Sequence, residues 1–466
     1  MITDNGAVQQ AGNTSVLNKV MRGLSAPFVA LMQRWMPNAF IFATILTILT
    51  FVICIFLTDA SAGDTIDAWG NGFWNLIAFT TQIAMTLITG YALAHTPAVH
   101  RLLNGIAKLA SSPSKAYVIV CITAIIGSLI SWGIGLIVGA IIARETASVC
   151  RSRNIPVHFP LLVAAGYAGF VVWHQGLSSS TGLAIATEGH FLVEQIGIVP
   201  VSETLFTYWN FMIVISVALT LPFVMMLLRP ADANCIPMPA GTETDDEDNG
   251  EDTQQSGTKR TPAQVLENAR ILNLLIGAAG LVYIYFHFIT RGGSLNLNII
   301  NFVFLVFGIL LARSPMHYVE LVTHGGRTLG PILLQYPFYA GIMGMMLDTG
   351  LAKVMAGWFV SISTAQTLPF WSMISGGLIN LFVPSGGGQW AVQGPVMIEA
   401  TKELGADLPR VAMGVAIGDQ WTNMIQPVWT IPVLAIVGLG VRDIMGYTVI
   451  AFLWCGLLFA AGLLLL

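Results

Sequence analysis

Apolar runs of about 20 residues recur along almost the whole chain, each long enough to cross about 30 Å of hydrocarbon as an α-helix. Lipid offers no partner to a backbone N–H or carbonyl, so a chain that crosses repeatedly does so as helices or as a closed barrel. Runs this long and continuous predict helices. Of the 466 residues, 55% are hydrophobic and 9% are charged, too few charges to clothe a soluble surface of that size. The fold class expected is therefore all-α, a polytopic membrane protein. Spans are predicted near 38–58, 75–96, 160–188, 208–228, 270–290, 295–312, 329–349, 410–439 and 444–466. The first 37 residues read as a polar cytoplasmic segment, and the run from Ala39 is too long and too far along the chain for a signal peptide, so no cleaved leader is expected.

Two further apolar stretches, 116–143 and 368–399, do not fit the count of crossings. Short loops rich in Lys and Arg stay cytoplasmic. Lys19, Arg22 and Arg34 place the N-terminus inside, and Asp59, Asp64 and Asp67 place the next loop outside. His100, Arg101, Lys108 and Lys115 precede the stretch 116–143, and Arg144, Arg151 and Arg153 follow it. A segment that begins and ends on the positive side has not crossed, so 116–143 is predicted to be a re-entrant hairpin with its tip at "SWGIG", Ser131 to Gly135. Continuing the count, Glu188, Glu194 and Glu203 fall outside, Arg313 and Arg327 inside, and 368–399 begins and ends outside with its tip at "PSGGGQ". The C-terminus is then expected in the periplasm. Between the halves, 230–269 contains "TETDDEDNGEDTQQSGTKR", whose acidity and lack of apolar residues predict a loosely held cytoplasmic linker.

The two halves, 38–229 and 270–466, resemble each other. Gly90, Ser131, Pro160, Gly169 and Trp173 find counterparts in Gly344, Ser385, Pro409, Gly418 and Trp421, offset by roughly 250 residues. Because one hairpin opens inward and the other outward, the repeats are expected to be inverted, as in many secondary transporters.

Irregular backbone at membrane depth is tolerated only where it is buried in protein or lines a watery cavity. The stretch Ser385, Gly386, Gly387, Gly388, Gln389, Trp390 is thus either a binding site or a tightly packed turn. Glycines let a ligand approach the backbone, and the start of the returning half-helix favours an anion. The other tip supplies Ser131, Trp132 and Gly133. After each hairpin comes a span interrupted by polar residues. One is "VWHQGLSSSTGL", with Trp173, His174, Gln175, Ser178, Ser179, Ser180 and Thr181; the other is "GDQWTNMIQPVW", with Asp419, Trp421, Thr422, Asn423 and Gln426. Discontinuous helices at corresponding positions of two halves point to a midplane site. Single hydroxyls here have an ordinary alternative, a bond back to their own helix. Asp419 is the sharpest candidate, because a carboxylate inside a membrane helix is costly and commonly serves as proton relay or cation ligand. His174 is either a proton carrier or a neutral member of a buried network. Trp132, Trp173, Trp390 and Trp421 either wall a cavity or sit at the membrane interface. Neither tip nor broken helix carries Arg or Lys, which favours small monoanions over doubly charged ones.

Other classes are disfavoured. Cys54, Cys121, Cys150, Cys235 and Cys455 have no metal spacing and suggest no disulfide framework. The net charge of −4, without a basic patch, argues against nucleic acid. No His/Asp/Glu grouping with metal spacing and no nucleophile motif is present, so an enzyme is not expected.

The strings "WMPNAFIFATILTILTF", "WGNGFWNLIAFTTQ", "SWGIGLIVGA", "NLFVPSGGGQWAVQGPV", "GDQWTNMIQPVW" and "GLGVRDIMGY" resemble the short-chain fatty acid transporters of the acetoacetate/butyrate type over nearly the whole chain. More distantly the chain is similar to the ion-transporter superfamily, whose members have inverted repeats, two opposed hairpins and a sodium-coupled site at their tips. The Ser-Asn-Thr triplet of those tips is absent here. The resemblance implies a bacterial inner-membrane importer of acetoacetate, butyrate and similar acids, with no cofactor beyond a transported Na⁺ or H⁺. The expected partners are a short-chain carboxylate and the lipid bilayer, and a homo-oligomer is open.

The expected mechanism sets the carboxylate against the half-helix N-termini at Ser131 and Ser385, with Gln389, Asn423 and the run Ser178 to Thr181 completing its hydrogen bonds. Asp419, with Thr422 and Gln426, would couple transport to the ion. A cation/proton antiporter without organic substrate would use the same residues and is the alternative; a passive channel is disfavoured by the paired hairpins.

Overall fold

The computed structural model describes residues 39–239, 261–327 and 329–466, and within these the regular structure is helical throughout. The expected N-terminal segment 1–37, with the basic residues that orient it, and residues 240–260 of the linker lie outside the described residues.

Among the described residues, seven helical stretches are long and apolar enough to cross a membrane, and Gly330–Asp348 with Leu351–Ile362 makes an eighth, bent by 79°. The first half runs α1 (Ala39–Leu57), α2 (Ala62–Gly72), α3 (Ile77–Ala94), α4 (Pro97–Ala107), α5 (Pro113–Ile130), α6 (Trp132–Ser152) and α7 (Phe159–Ala168). A 3-10 stretch, Gly169–Gln175, continues α7 and breaks at Gly176; α8 (Ser180–Ile185), α9 (Val193–Ile196) and α10 (Tyr208–Leu227) follow. The linker contributes α11 (Pro262–Glu267). The second half runs α12 (Arg270–Tyr285), α13 (Leu297–Leu311), α14 (Pro315–Gly326), α15 (Gly330–Asp348), α16 (Leu351–Ile362), α17 (Leu368–Asn380), α18 (Gly386–Leu404) and α19 (Leu408–Thr422). Another 3-10 turn, Asn423–Ile425, leads to α20 (Pro427–Val437) and α21 (Val441–Leu465).

The same order recurs in both halves: a long helix, a shorter one, a helical hairpin, a helix broken through a 3-10 turn, and a final long helix. The contacts recur as well. Hairpin α5–α6 packs on α4 and α7; hairpin α17–α18 packs on α16 and α19. After its break each broken segment crosses to the other hairpin, α8 onto α18 and α20 onto α6. The exchange extends to the leading helices: α1 and α2 pack on α15 of the second half, while α13 and α14 pack on α3 of the first.

Pro427 marks the second break as the sequence suggests, because it has no N–H to continue the 3-10 turn and stands at the first position of α20. Small residues let the hairpins seat closely. A Cβ at Gly418 on α19 would lie 2.2 Å from the Met373 carbonyl of α17, so no larger residue fits that seam.

Two local details differ from the sequence reading. The expected tip "SWGIG" narrows to Ser131 alone, the cap between α5 and α6, because Trp132 onward is helical and Gly135 packs directly against Ser128 of the descending helix. The first residues of the acidic linker are docked, not loose. The Phe159 N–H donates to the Ile236 carbonyl at 2.8 Å, the Ile236 N–H donates to His158 Nδ1 at 3.0 Å, and Arg151 donates to the Met238 carbonyl. Buried Met238 and the backbone of Ile236 give this stretch the anchors that hold it against α7 and α6.

Candidate functional site: a cavity between the two hairpin tips

Ser385 stands in extended backbone at the start of α18, and its hydroxyl donates to the Tyr336 hydroxyl at 2.9 Å. The glycines behind it are required by close approach. A Cβ at Gly386 would lie 2.3 Å from His174 Nε2 and 2.9 Å from the Trp173 ring, and one at Gly388 would lie 2.5 Å from the Tyr339 ring. The turn is therefore tightly packed on one side while Pro384, Ser385 and Gly386 face a cavity on the other. Ser131, at the other tip, is fully buried with its hydroxyl unpartnered among the described residues. The next residues, Trp132 and Gly133, line the same cavity.

The cavity encloses about 510 Å³. Its aromatic wall is Trp132, Trp173, Trp429 and Tyr336, with Trp132 packed 6.3 Å from Trp173 and 6.0 Å from Trp429 between ring centroids. Its aliphatic wall includes Ile83 and Leu87 of α3, Leu136 and Ile137 of α6, and Ile332 of α15. Polar atoms come from Ser180, Gln335, Tyr336 and Ser385 near the tips, and from Tyr91 and His95 at the far end. Among the described residues no Asp, Glu, Lys or Arg lines it. Such a space suits a small molecule with an apolar body and few polar atoms.

A polar network lies behind Gly386 and Trp173. His174 stacks on Trp173 with ring centroids 3.6 Å apart, and its Nε2 lies 3.5 Å from Asp419 Oδ1; both side chains are almost wholly buried. The His174 N–H donates to Gln420 Oε1 at 2.8 Å, Gln420 donates to Gln175 Oε1 at 3.0 Å, and Gln175 donates to Asn210 Oδ1 at 2.9 Å. On the other side, the Asn380 amide nitrogen lies 2.8 Å from the Asp419 carbonyl, 2.9 Å from Thr422 Oγ1 and 2.7 Å from Asn423 Oδ1. Gln426 donates to the Asn380 carbonyl at 2.6 Å. Three buried oxygens in this network, Asp419 Oδ2, Asn380 Oδ1 and Gln426 Oε1, have no hydrogen-bond partner among the described residues. Buried acceptors without donors are rare.

The remaining candidates divide clearly. Ser178 accepts from the Trp132 N–H at 2.8 Å, so it ties the first tip to the first broken helix. Ser179 caps α8, accepting from the Gly182 N–H at 3.1 Å, and Thr181 is buried beside it. Gln389 lies inside the second hairpin, donating to the Gly376 carbonyl at 2.8 Å. The Thr422 hydroxyl bonds back to its own helix at the Gly418 carbonyl, 3.3 Å away. Trp421 stacks on Phe452 with centroids 4.5 Å apart and donates to the Phe452 carbonyl, placing it against α21 and outside the cavity wall. Trp390 is wholly buried behind the turn, beside Gly394, and does not line the cavity.

Several site residues escaped the sequence reading: Gln335, Tyr336, Trp429, Asn380 and Gln420. Their signal was present. Gln335–Tyr339, "QYPFY", places polar groups and a proline inside a span, and Asn380 stands one turn ahead of the glycine turn.

A family model described as short chain fatty acid transporter matches residues 20–466. The chain belongs to the short-chain fatty acid transporter family. A family member from Escherichia coli K12 is 41% identical over 437 residues, covering 93% of this chain and 97% of that protein. Another, from Haemophilus influenzae, is 37% identical over 446 residues, covering 92% and 96%. Both bear the name "Putative short-chain fatty acid transporter". Membership makes the chain a multi-pass membrane transporter and not an enzyme. Among solved structures the fold is similar to Neisseria gonorrhoeae MtrF, described within a class of antimetabolite efflux pumps, with a TM-score of 0.59 at 16% identity over 94% of this chain and 97% of that one. It is also similar to the Alcanivorax borkumensis YdaH transporter, with a TM-score of 0.59 at 15% identity over 92% and 97%. At such low identity these two speak for the fold alone.

Proposed function

We infer that the protein is a secondary active carrier of short-chain monocarboxylates such as butyrate and acetoacetate in the bacterial inner membrane, coupled to a Na⁺ or H⁺ gradient. One observation carries this reading: tips from both halves meet one apolar cavity, and the buried Asp419 and His174 lie directly behind it. The relatives' names support the substrate class. The aliphatic wall of Ile83, Leu87, Leu136, Ile137 and Ile332 favours an organic acid over the antiporter reading, since a cation exchanged alone gains nothing from such side chains.

In this mechanism the carboxylate lies at the N-terminal ends of α6 and α18, near Ser131 and Ser385, where helix dipoles favour negative charge. Its tail lies along the tryptophans and Ile83, Leu87 and Ile332. Asp419 binds the coupling proton, or helps bind Na⁺ with the free oxygens of Asn380 and Gln426. The two halves act as inverted repeats, with α5–α6 and α17–α18 as opposed re-entrant hairpins. The N-terminus lies in the cytoplasm and the C-terminus in the periplasm. Alternating access follows from one bundle moving against the other.

The test is uptake of labelled butyrate and acetoacetate into proteoliposomes, with sodium and proton gradients imposed separately. Accumulation driven by one gradient supports the carrier and names its ion. Absence of accumulation under both gradients, with ion exchange persisting, refutes it in favour of the antiporter.

A further inference from the structure

The cavity does not end at the hairpin tips. It runs along α3 from Ile83 and Leu87 to a far end at Tyr91 and His95, and Pro331 and Ile332 at the start of α15 line it from the other half. That end carries a different chemistry from the rest. His95 follows α3, its Nδ1 2.9 Å from the Tyr91 carbonyl, and its ring stacks on Tyr91 with centroids 4.1 Å apart. A carbonyl only accepts, so Nδ1 carries the hydrogen and Nε2 is left as the group that gains or loses a proton. His100 of α4 lies 6.4 Å from His95 between ring centroids. From the other half, Gly325 of α14 packs on the Tyr91 ring so closely that a Cβ there would lie 3.2 Å from it. This brings the end of α14, with His324 and Arg327, to the same mouth.

We propose that this mouth is a second carboxylate station, separate from the one at the hairpin tips, in which His95 Nε2 binds the substrate anion between Tyr91 and the start of α15. The proposal rests on the carrier reading above and adds to it a site at the face bearing the basic loops. The ligand is a small monocarboxylate, chosen by charge at this end and by the apolar passage beyond it. Binding is linked to protonation. The ring lies close to His100 of α4 and to the end of α14 that carries His324, and an arriving carboxylate favours its protonated form. Arg327 supplies the positive field that draws the anion in, and Glu320, one turn before His324 on α14, is the acid on that helix. Binding at this face accordingly weakens as pH rises.

The experiment measures butyrate transport in vesicles of defined orientation, from each face separately and over a range of pH, for the wild type, His95→Gln and Arg327→Gln. The expected result is an inner-face KM raised about threefold or more by His95→Gln, with its pH dependence flattened, while the outer-face KM and its pH dependence keep their wild-type values. Arg327→Gln, an exposed change that leaves the cavity wall intact, raises the inner-face KM and lowers its sensitivity to salt. Equal KM and pH profiles for all three proteins at the inner face overturn the second station while leaving the carrier intact. A wild type that moves no butyrate from either face refutes the carrier reading itself, an outcome distinct from failure of the station.

Discussion

His174 Nε2 lies 3.5 Å from Asp419 Oδ1 across the boundary between the two halves, one on the 3-10 turn after α7 and the other on α19. Neither residue reaches water, so the pair joins the halves through two buried ionisable side chains. Asp419→Asn keeps the shape and removes the charge. Gradient-driven accumulation of butyrate is expected to fall by about 5- to 150-fold, the usual range of a coupling free energy, while exchange of labelled for unlabelled butyrate persists. Parallel uptake and exchange assays in proteoliposomes check this; full accumulation in the variant would remove Asp419 from coupling.

Gly386→Ala puts a methyl group 2.3 Å from His174 Nε2. The imidazole is held by Trp173 on one face and faces Asp419, so it has little room to yield. Overpacking of this kind costs about 1–3 kcal/mol, and thermal unfolding in detergent is expected to fall accordingly, together with transport. Gly405→Ala, at an exposed helix end with open space around it, is the comparison that separates packing from backbone strain, because Gly405 has φ +64° and no Cβ contact.

Asn380→Ala removes the amide that lies against the Asp419 carbonyl, Thr422 and Asn423. Each buried acceptor left without its donor costs about 1–3 kcal/mol. The variant is expected to unfold at lower temperature and to need a higher concentration of the coupling ion for half-maximal uptake. Ion titrations of butyrate uptake provide the measurement, and an unchanged half-maximal concentration would make Asn380 a structural brace only.

Ile332→Ala and Leu87→Ala enlarge the apolar wall without touching the tips. One methylene in a hydrophobic pocket is worth about 10- to 200-fold in discrimination, so preference is expected to shift from butyrate toward hexanoate. Competition of unlabelled two- to six-carbon acids against labelled butyrate tests it. An unaltered order of preference would place the tail elsewhere.

The positions of the breaks were legible because they rest on residues with a single physical effect. Pro427 lacks an N–H, Gly386 lacks a Cβ, and Asp419 is a charge in an apolar run. What escaped were residues whose importance is relational. Gln335 and Tyr336 break an apolar span and Trp429 follows the second break, but what they do shows only when the two halves come together around one cavity. Trp421 shows the converse: its place in the repeat matches Trp173, yet its indole finds the Phe452 carbonyl and faces away from the cavity wall. The docked start of the linker was hidden by the acidic composition that follows it, since one buried methionine weighs little in a window average and backbone hydrogen bonds leave no trace in composition.

The crosswise packing of the leading helices bears on how the molecule is made. When α1 and α2 leave the ribosome, the surface they will cover on α15 has not been translated, and α3 waits likewise for α13 and α14. The first half must therefore sit in the bilayer with unfinished surfaces until the second half is inserted. Neither half, inserted alone, covers its own helices, because surfaces of α1, α2 and α3 find their partners only in the second half.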